Sequence, residues 1–205
     1  MKNWKIENYG VNGYGVHQML ALIQKEPNIL ADINILMTVE GHIPRATCKR
    51  HFSFGTPKYI INNKKKLIRS GYCQFGIVDK IQVPKIFGSI INRSEIKNYV
   101  FNLFNSSKNF YDQNSREIYF AILEEINKIV KKNNKIFIIG YMDTTTKLNK
   151  ELIKSIDERK IDIIDLTLDK KNNKYWLPDK HTSKLGNEKR VLLIQKFLKQ
   201  NLYLN

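Results

Sequence analysis

The chain has 205 residues, of which 42% are hydrophobic and 26% charged, so it is long enough to bury one core and is neither a disordered tail nor a fibrous repeat. No run of about 18 apolar residues is present and the first residues lack the apolar stretch of a secretion signal, so we expect neither a membrane-spanning helix nor a leader. The 35 Lys and Arg outnumber the 19 Asp and Glu and give a net charge of +16, but the basic residues are dispersed and not interleaved with aromatic ones, so we expect no nucleic-acid partner.

The first half of the chain predicts a helix between strands. Four elements are expected: a strand end near Ile6, a glycine-rich turn from Gly10 to Gly15, a helix from about Val16 to Lys25 and a strand from Ile33 to Met37. From about residue 44 to residue 110 the periodicity weakens, because prolines and glycines separate short apolar pieces. We expect an irregular excursion there, with a helix near Ser94 to Phe104.

Both cysteines of the chain, Cys48 and Cys73, lie in this excursion. Two cysteines are too few for a disulfide framework, and neither has the Cys-x-x-Cys spacing of metal or redox sites. We therefore expect both to be ordinary side chains.

The second half of the chain alternates helices and strands. Asn114 to Glu117 has the pattern of a helix cap followed by a glutamate, and apolar residues then recur at helical spacing from Ile118 to Ile129. Four further elements are expected: an apolar strand from Ile136 to Gly140, a short helix from Leu148 to Ile156, a strand from Ile161 to Leu166 and a helix from Val191 to Leu198. This alternation predicts a single α/β domain over residues 1–205, with a parallel sheet covered by helices on both faces.

The turn before the last helix carries the residues best suited to chemistry. Asp179 lies two residues before His181, and a carboxylate at this spacing can orient the imidazole through one ring nitrogen while the other takes a proton from a nucleophile. The alternative is that Asp179 only hydrogen-bonds the backbone of the turn and that His181 is a surface residue without a catalytic role. In that case Thr182 or Ser183 simply caps the helix. The position after the last strand of an open α/β sheet, where such sheets place ligands, favours the catalytic interpretation.

This turn resembles the last conserved block of the SGNH (GDSL-type) hydrolases and of their relatives that acylate or deacylate sugars. In that block an Asp-x-(x)-His turn is followed by Pro/Thr, Ser/Asn, two residues, Gly and His/Asn. The matching residues are Asp179, His181, Thr182, Ser183, Gly186 and Asn187. The resemblance implies that His181 is the general base and acid and that Asp179 orients it.

A second block of the family is similar to the stretch from Asn8 to Gln18, which has the pattern Asn-x-Gly-Val-x-Gly-Tyr-Gly. The resemblance implies that the backbone N–H of Gly13 is one donor to an oxyanion, because glycine lets the substrate oxygen approach the backbone closely. The family's other donor is the Asn of a Gly-x-Asn-Asp motif. Here the strand is followed by Val39 to Pro44 instead, and His42 is the candidate donor.

The family's nucleophilic serine, in a Gly-Asp-Ser motif after the first strand, has no counterpart. Only seven residues precede Asn8, which leaves no room for that strand and its serine turn. Ser53 and Ser89 have glycines nearby, but neither follows a recognisable parallel strand. The resemblance therefore implies a flavodoxin-like, SGNH-type sheet without its first strand, in a chain that is N-terminally truncated and inactive on its own.

For an intact relative, the resemblance implies serine-dependent chemistry on ester bonds, with an acyl ester or an acylated carbohydrate as substrate and no metal or organic cofactor. Three alternatives remain open. The first is a related acyltransferase that passes the acyl group to a polysaccharide hydroxyl. The second is a non-catalytic interaction module whose basic surface binds an anionic partner. The third is that the protein has no independent function.

Overall fold

A computed structural model describes residues 5–11, 13–49, 55–73 and 112–201 of the chain. Within these ranges the α-helices are α1 (Val16–Lys25), α2 (His42–Ala46), α3 (Gln113–Lys132), α4 (Lys147–Asp157) and α5 (Lys184–Gln200). The strands are β1 (Ile33–Thr38), β2 (Pro57–Ile61), β3 (Leu67–Tyr72), β4 (Ile136–Tyr141) and β5 (Asp162–Asp165). Single turns of 3-10 helix cover Pro27–Ile29 and Asn173–Tyr175.

Three parallel strands form the central sheet in the order β1-β4-β5. In the middle strand, β4, every residue from Phe137 to Tyr141 is buried. A strand with two covered faces needs such a continuous apolar run, and this explains why Ile136 to Gly140 shows no alternation of polar and apolar residues. The predicted α/β fold, with a parallel sheet flanked by helices, is confirmed at this level.

The two faces of the sheet have separate hydrophobic clusters. On one face α1, α3 and α4 pack together, and the helical spacing predicted in α3 is confirmed because Ile118, Ile122 and Ile126 are all buried. On the other face α5 packs against a buried cluster formed by Ile138, Ile164 and Leu166. The residues of α5 in this contact are Leu193, Ile194, Phe197 and Leu198. Because the three strands are parallel, their carboxyl ends lie at the same edge of the sheet.

Two helix boundaries differ from the sequence-based prediction. The cap of α3 is Asp112 rather than the stretch from Asn114, because the Asp112 side chain accepts the N–H of Ser115 at 2.8 Å. The last helix begins at Lys184 rather than Val191, because Ser183 caps it. Its first two turns bury only Gly186 and Arg190, so they lack the apolar periodicity that reveals a helix in a sequence.

The strand end expected near Ile6 is wrong. Residues 5–11 form no strand, and the Ile6 side chain is 88% exposed. A strand at this place needs a partner that satisfies its backbone groups, and in the part of the chain that the structure describes the sheet contains only β1, β4 and β5.

The excursion expected between residues 44 and 110 contains regular structure. β2 and β3 pair in an antiparallel hairpin, and Tyr59 packs from it into the main core. The helix expected near Ser94 to Phe104 lies outside the described residues. None of the described helices is long and apolar enough to cross a membrane.

The expectation that Cys48 and Cys73 are ordinary side chains is wrong, because they form a disulfide with their Cα atoms 5.2 Å apart. Cys48 follows α2 and Cys73 follows β3. The sequence spacing of 25 residues gives no sign of this contact. Both α2 and the hairpin pack against α3, and this tertiary packing brings the two sulfur atoms together.

Candidate active site

Asp179 and His181 form a hydrogen-bonded pair in the turn before α5. Nδ1 of His181 lies 3.0 Å from Oδ2 of Asp179. The backbone N–H of His181 also donates to Oδ1 of the same carboxylate, at 3.0 Å. When the carboxylate accepts the Nδ1 proton, Nε2 of the neutral imidazole carries the lone pair. This is the orientation that a general base requires.

The backbone around the pair forms a tight turn. The N–H of Lys180 donates to the carbonyl of Leu177 at 2.9 Å, and the N–H of Leu177 donates to the carbonyl of His181 at 2.8 Å. Lys180 has a left-handed φ of 69°, which turns the chain between the carboxylate and the imidazole. The pair is therefore built locally, within five consecutive residues.

Both side chains of the pair are open to solvent, with 65% of Asp179 and 82% of His181 exposed. Hydrogen bonds from the backbone N–H of His181, and then from its imidazole, hold the pKa of Asp179 below its ordinary value. Asp179 is therefore a carboxylate at neutral pH. An exposed imidazole beside it is accessible to a substrate or to a nucleophile on another segment.

The turn is fixed to the start of α5 by Ser183 and Gly186. Ser183 Oγ accepts the N–H of Gly186 at 3.2 Å, and its backbone N–H donates to the carbonyl of Tyr175 at 2.8 Å. A Cβ on Gly186 would lie 2.6 Å from Cγ2 of Thr182 and 2.8 Å from the Tyr175 carbonyl oxygen. Only glycine allows this close approach, and Ser183 has the capping role that the structural interpretation gave it.

Arg190 supports the same turn, although no sequence pattern points to it. Its side chain is buried, its Nε donates to the carbonyl of Leu166 at 3.0 Å, and its Nη1 donates to Oγ1 of Thr182 at 2.7 Å. Burial lowers the pKa of Arg190 and the charge of Asp143 opposes this effect. Arg190 thus joins the end of β5 to the residue that follows His181.

The Gly13 turn lies before α1. Gly13 has a φ of 82°, and the N–H of Tyr14 donates to the carbonyl of Val11 at 3.1 Å. The left-handed φ explains why glycine is needed at this position. Nη1 of Arg45, in α2, donates to the carbonyl of Tyr14 at 3.2 Å and so holds the turn against the segment that follows β1.

His42, the first residue of α2, ends a chain of three hydrogen-bonding groups. Oγ1 of Thr38 lies 3.0 Å from Nδ1 of His42 and 3.0 Å from the hydroxyl of Tyr119. Tyr119 is fully buried and burial raises its pKa, so its hydroxyl stays protonated. We assign it as the donor to Thr38, because a buried hydroxyl proton without an acceptor is costly. The Thr38 hydroxyl then donates to Nδ1 of His42, which leaves Nε2–H as the imidazole donor. Burial, and then the charge of Arg45, lower the pKa of His42 to about 3, so the imidazole is neutral.

His17, in the first turn of α1, is a buried histidine to which the sequence analysis gave no role. Its Nε2 lies 2.9 Å from Oγ1 of Thr56, and among the described residues its buried Nδ1 has no hydrogen-bond partner. Burial, and then the charge of Arg45, lower its pKa to about 4. A neutral imidazole that donates from Nε2 avoids burying an unpaired N–H, so His17 ties α1 to the start of the hairpin.

The four predicted site residues lie at the carboxyl edge of the parallel sheet, in two groups. Gly13 and His42 are beside the end of β1, whereas Asp179 and His181 follow β5, on the other side of β4. Asp143 lies between the groups, at the end of β4, where Oδ2 accepts the N–H of Glu40 at 3.1 Å.

A serine nucleophile is not identified among the described residues. Ser53 and Ser89, the two serines weighed from the sequence, lie outside them. The hydroxyls next to His181 are engaged elsewhere, since Thr182 Oγ1 accepts from Arg190 and Ser183 Oγ donates to the carbonyl of Lys174. The described residues therefore contain a hydrogen-bonded carboxylate–imidazole pair, Asp179 and His181, and the two residues predicted as oxyanion donors, Gly13 and His42.

Comparisons with models of protein families, with characterised proteins and with solved structures found no match to this chain.

Proposed function

We propose that Asp179 and His181 are the acid–base pair of an SGNH-type acyl-transfer site that acts on ester bonds. The observation that carries this proposal is the hydrogen bond between Oδ2 of Asp179 and Nδ1 of His181, at 3.0 Å, on an exposed turn. It leaves Nε2 of the His181 ring facing away from the carboxylate on an exposed side chain, where it can take a proton from a nucleophile.

The strand order supports the same proposal. In a flavodoxin-like sheet of order 2-1-3-4-5, the last three strands are neighbours in sequence order. β1, β4 and β5 of this chain, counted without the β2–β3 hairpin, have that order and are parallel. The Gly13 and Asp179–His181 turns both lie at the carboxyl edge, where open α/β sheets bind ligands.

In the proposed reaction a serine hydroxyl attacks the acyl carbonyl and gives its proton to Nε2 of His181. The imidazolium then protonates the leaving alkoxide, while Asp179 keeps the ring in place and stabilises its charge. The N–H of Gly13 and Nε2–H of His42 are the proposed donors to the oxyanion. Because no Gly-Asp-Ser segment occurs in the sequence, we expect the 205-residue chain to hydrolyse esters at the background rate.

The test is hydrolysis of 4-nitrophenyl acetate by two proteins. The first is the 205-residue chain, and the second is the product of a longer reading frame, if the DNA upstream of Met1 encodes a strand followed by Gly-Asp-Ser. We expect activity only from the longer protein, and a loss of about 1,000-fold or more in kcat on His181→Ala. Lys184→Gln, which removes a nearby exposed charge, is the matched control and is expected to keep the activity.

Turnover by the 205-residue chain that His181→Ala abolishes would contradict only the expected inactivity, because it would show that a nucleophile is present in this sequence. Ester hydrolysis that is unchanged by His181→Ala, in either protein, would contradict the assignment of the pair. An inactive chain together with an upstream region that encodes no serine block would remove the support for ester chemistry.

A further inference from the structure

The positive charge of the chain is concentrated in one segment. From Gly41 to Cys73 there are eight Lys and Arg and no Asp or Glu, which is half of the net charge of +16. Five of the eight belong to the ordered hairpin of residues 55–73, here called the basic hairpin: Lys58, Lys64, Lys65, Lys66 and Arg69. Most of the basic residues of this segment therefore lie in a single element of the fold.

The tip of the basic hairpin is shaped by backbone contacts that leave its lysines in solvent. Oδ1 of Asn62 accepts the N–H of Lys64 and the N–H of Lys66, each at 3.0 Å, and the N–H of Asn62 donates to the carbonyl of Lys66 at 3.0 Å. Lys64, Lys65 and Lys66 are all exposed. Three ammonium groups are therefore presented together by a turn that does not depend on their side chains.

The two faces of the basic hairpin differ. Tyr59 is buried in the main core, and Ile61 and Leu67 pack against the same core. Because side chains alternate along a strand, the opposite face carries the cross-strand pair Ile60 and Ile68, and Ile68 is 40% exposed. The outward face thus combines an aliphatic pair with the cationic tip.

The base of the basic hairpin is held firmly against the domain. The disulfide joins Cys73 to Cys48, after α2, and Oγ1 of Thr56 bonds to His17 in α1. The N–H of Cys73 donates to the carbonyl of Thr56 at 2.8 Å and closes the base. The charged tip therefore has a defined orientation, which lowers the entropy cost of binding a surface.

We propose that the basic hairpin docks the protein on an anionic lipid surface. Clustered lysines are attracted to negatively charged headgroups, and the aliphatic face of Ile60 and Ile68 contacts the boundary with the acyl chains. A nucleic acid fits less well, because the aliphatic side chains of Ile60 and Ile68 offer bases no stacking surface. The exposed aromatic side chain of the hairpin, Tyr72, is already covered by the guanidinium of Arg69, which lies 5.2 Å from the centre of the tyrosine ring.

The test is cosedimentation of the 205-residue protein with vesicles in which about a third of the lipid is phosphatidylglycerol and the rest is phosphatidylcholine. The triple variant Lys64→Gln, Lys65→Gln, Lys66→Gln is compared with the matched control Lys128→Gln, Lys131→Gln, Lys132→Gln, which removes the same charge from the exposed end of α3. We expect the hairpin variant to lose about 100-fold in affinity, and the control to lose only a few-fold. Ile68→Ser is expected to weaken binding at unchanged charge, which separates the aliphatic contact from the electrostatic one.

Three results would overturn the proposal. They are an equal loss in the two triple variants, equal binding to vesicles of phosphatidylcholine alone, and tighter binding to a DNA or RNA oligonucleotide than to the anionic vesicles at the same salt concentration. This proposal is independent of the acyl-transfer site, because His181→Ala is expected to leave vesicle binding unchanged.

Discussion

Both carboxylate oxygens of Asp179 accept hydrogen bonds from His181, one from the imidazole Nδ1 and one from the backbone N–H. The backbone bond keeps the carboxylate in place whatever the state of the imidazole. The backbone hydrogen bond therefore has a structural role, whereas the imidazole hydrogen bond can serve catalysis. A substitution of His181 removes the second bond and keeps the first.

Replacing His181 with alanine tests that separation. We expect the pKa of Asp179, read from its carboxyl carbon by NMR, to rise in His181→Ala but to stay below its ordinary value, because the backbone N–H of residue 181 still donates. In Lys184→Gln the pKa of Asp179 should not move, since that side chain is exposed and bonds elsewhere. A return of the Asp179 pKa to its ordinary value in His181→Ala would contradict the assigned backbone bond.

The chain of groups from Tyr119 through Thr38 to His42 predicts unequal costs for two substitutions. Thr38→Val leaves the buried Tyr119 hydroxyl and Nδ1 of His42 without a partner, so we expect a loss of about 2–4 kcal/mol in the free energy of unfolding. Tyr119→Phe removes one donor while Thr38 can still donate to His42, so we expect a loss of about 1 kcal/mol. Urea unfolding measures both, and a larger loss for Tyr119→Phe would reverse the assigned direction of the bonds.

His17 predicts that stability falls in mild acid. Its pKa is about 4 in the folded protein against an ordinary 6.5, so the unfolded chain binds more protons between these values. The contribution of His17 to the free energy of unfolding is complete above pH 6.5 and is lost as the pH falls toward 4. Between pH 7 and pH 5 this loss is about 2 kcal/mol. His42, with a pKa of about 3, acts in the same direction.

Urea unfolding at pH 7 and pH 5 checks the contribution of His17. In His17→Gln the glutamine amide can still donate to Thr56, but it does not titrate. We therefore expect this variant to show about half of the change in the free energy of unfolding between pH 7 and pH 5, the remaining half coming from His42. An unchanged dependence in His17→Gln would show that His17 is accessible to protons in the folded state.

The disulfide closes a loop across the basic hairpin. Its removal in the double variant Cys48→Ser, Cys73→Ser is expected to lower the free energy of unfolding by about 3 kcal/mol, because the unfolded chain regains the entropy of a loop of 25 residues. A reducing agent should lower the Tm of the natural chain and leave that of the double variant unchanged. Equal sensitivity of the two proteins to the reductant would be inconsistent with this bond.

Gly186 and Gly41 form a matched pair for testing how closely α5 approaches the site. A Cβ at Gly186 meets Thr182 and the Tyr175 carbonyl, whereas a Cβ at Gly41 meets only Cγ2 of Val39, at 3.9 Å. Gly186→Ala gains helix propensity but overpacks, so we expect a net loss of about 1–2 kcal/mol, and Gly41→Ala is expected to be neutral within about 0.5 kcal/mol. Thermal unfolding measures both, and a neutral Gly186→Ala would show that Thr182 moves away easily.

The elements that could be predicted from the sequence are those whose signal is local. The apolar run from Ile136 and the helical spacing from Ile118 to Ile126 report burial directly, because each residue packs according to the period of its own element. The contact between Asp179 and His181 could also be predicted from the sequence, because both residues lie in one turn of five consecutive residues. Its role in catalysis, and those of Gly13 and His42, remain predictions.

The sequence by itself determined which segments are helix or strand in the parallel sheet and which turn holds a carboxylate beside an imidazole, because these depend on neighbours a few residues apart. Only the tertiary structure decided the partners of Cys48, Arg190 and Tyr119, which bond across 25, 24 and 81 residues. It also decided that the consecutive lysines Lys64, Lys65 and Lys66 lie at the exposed tip of a hairpin with a defined orientation. Such contacts arise from the packing of whole elements, and the spacing of residues along the chain does not encode them locally.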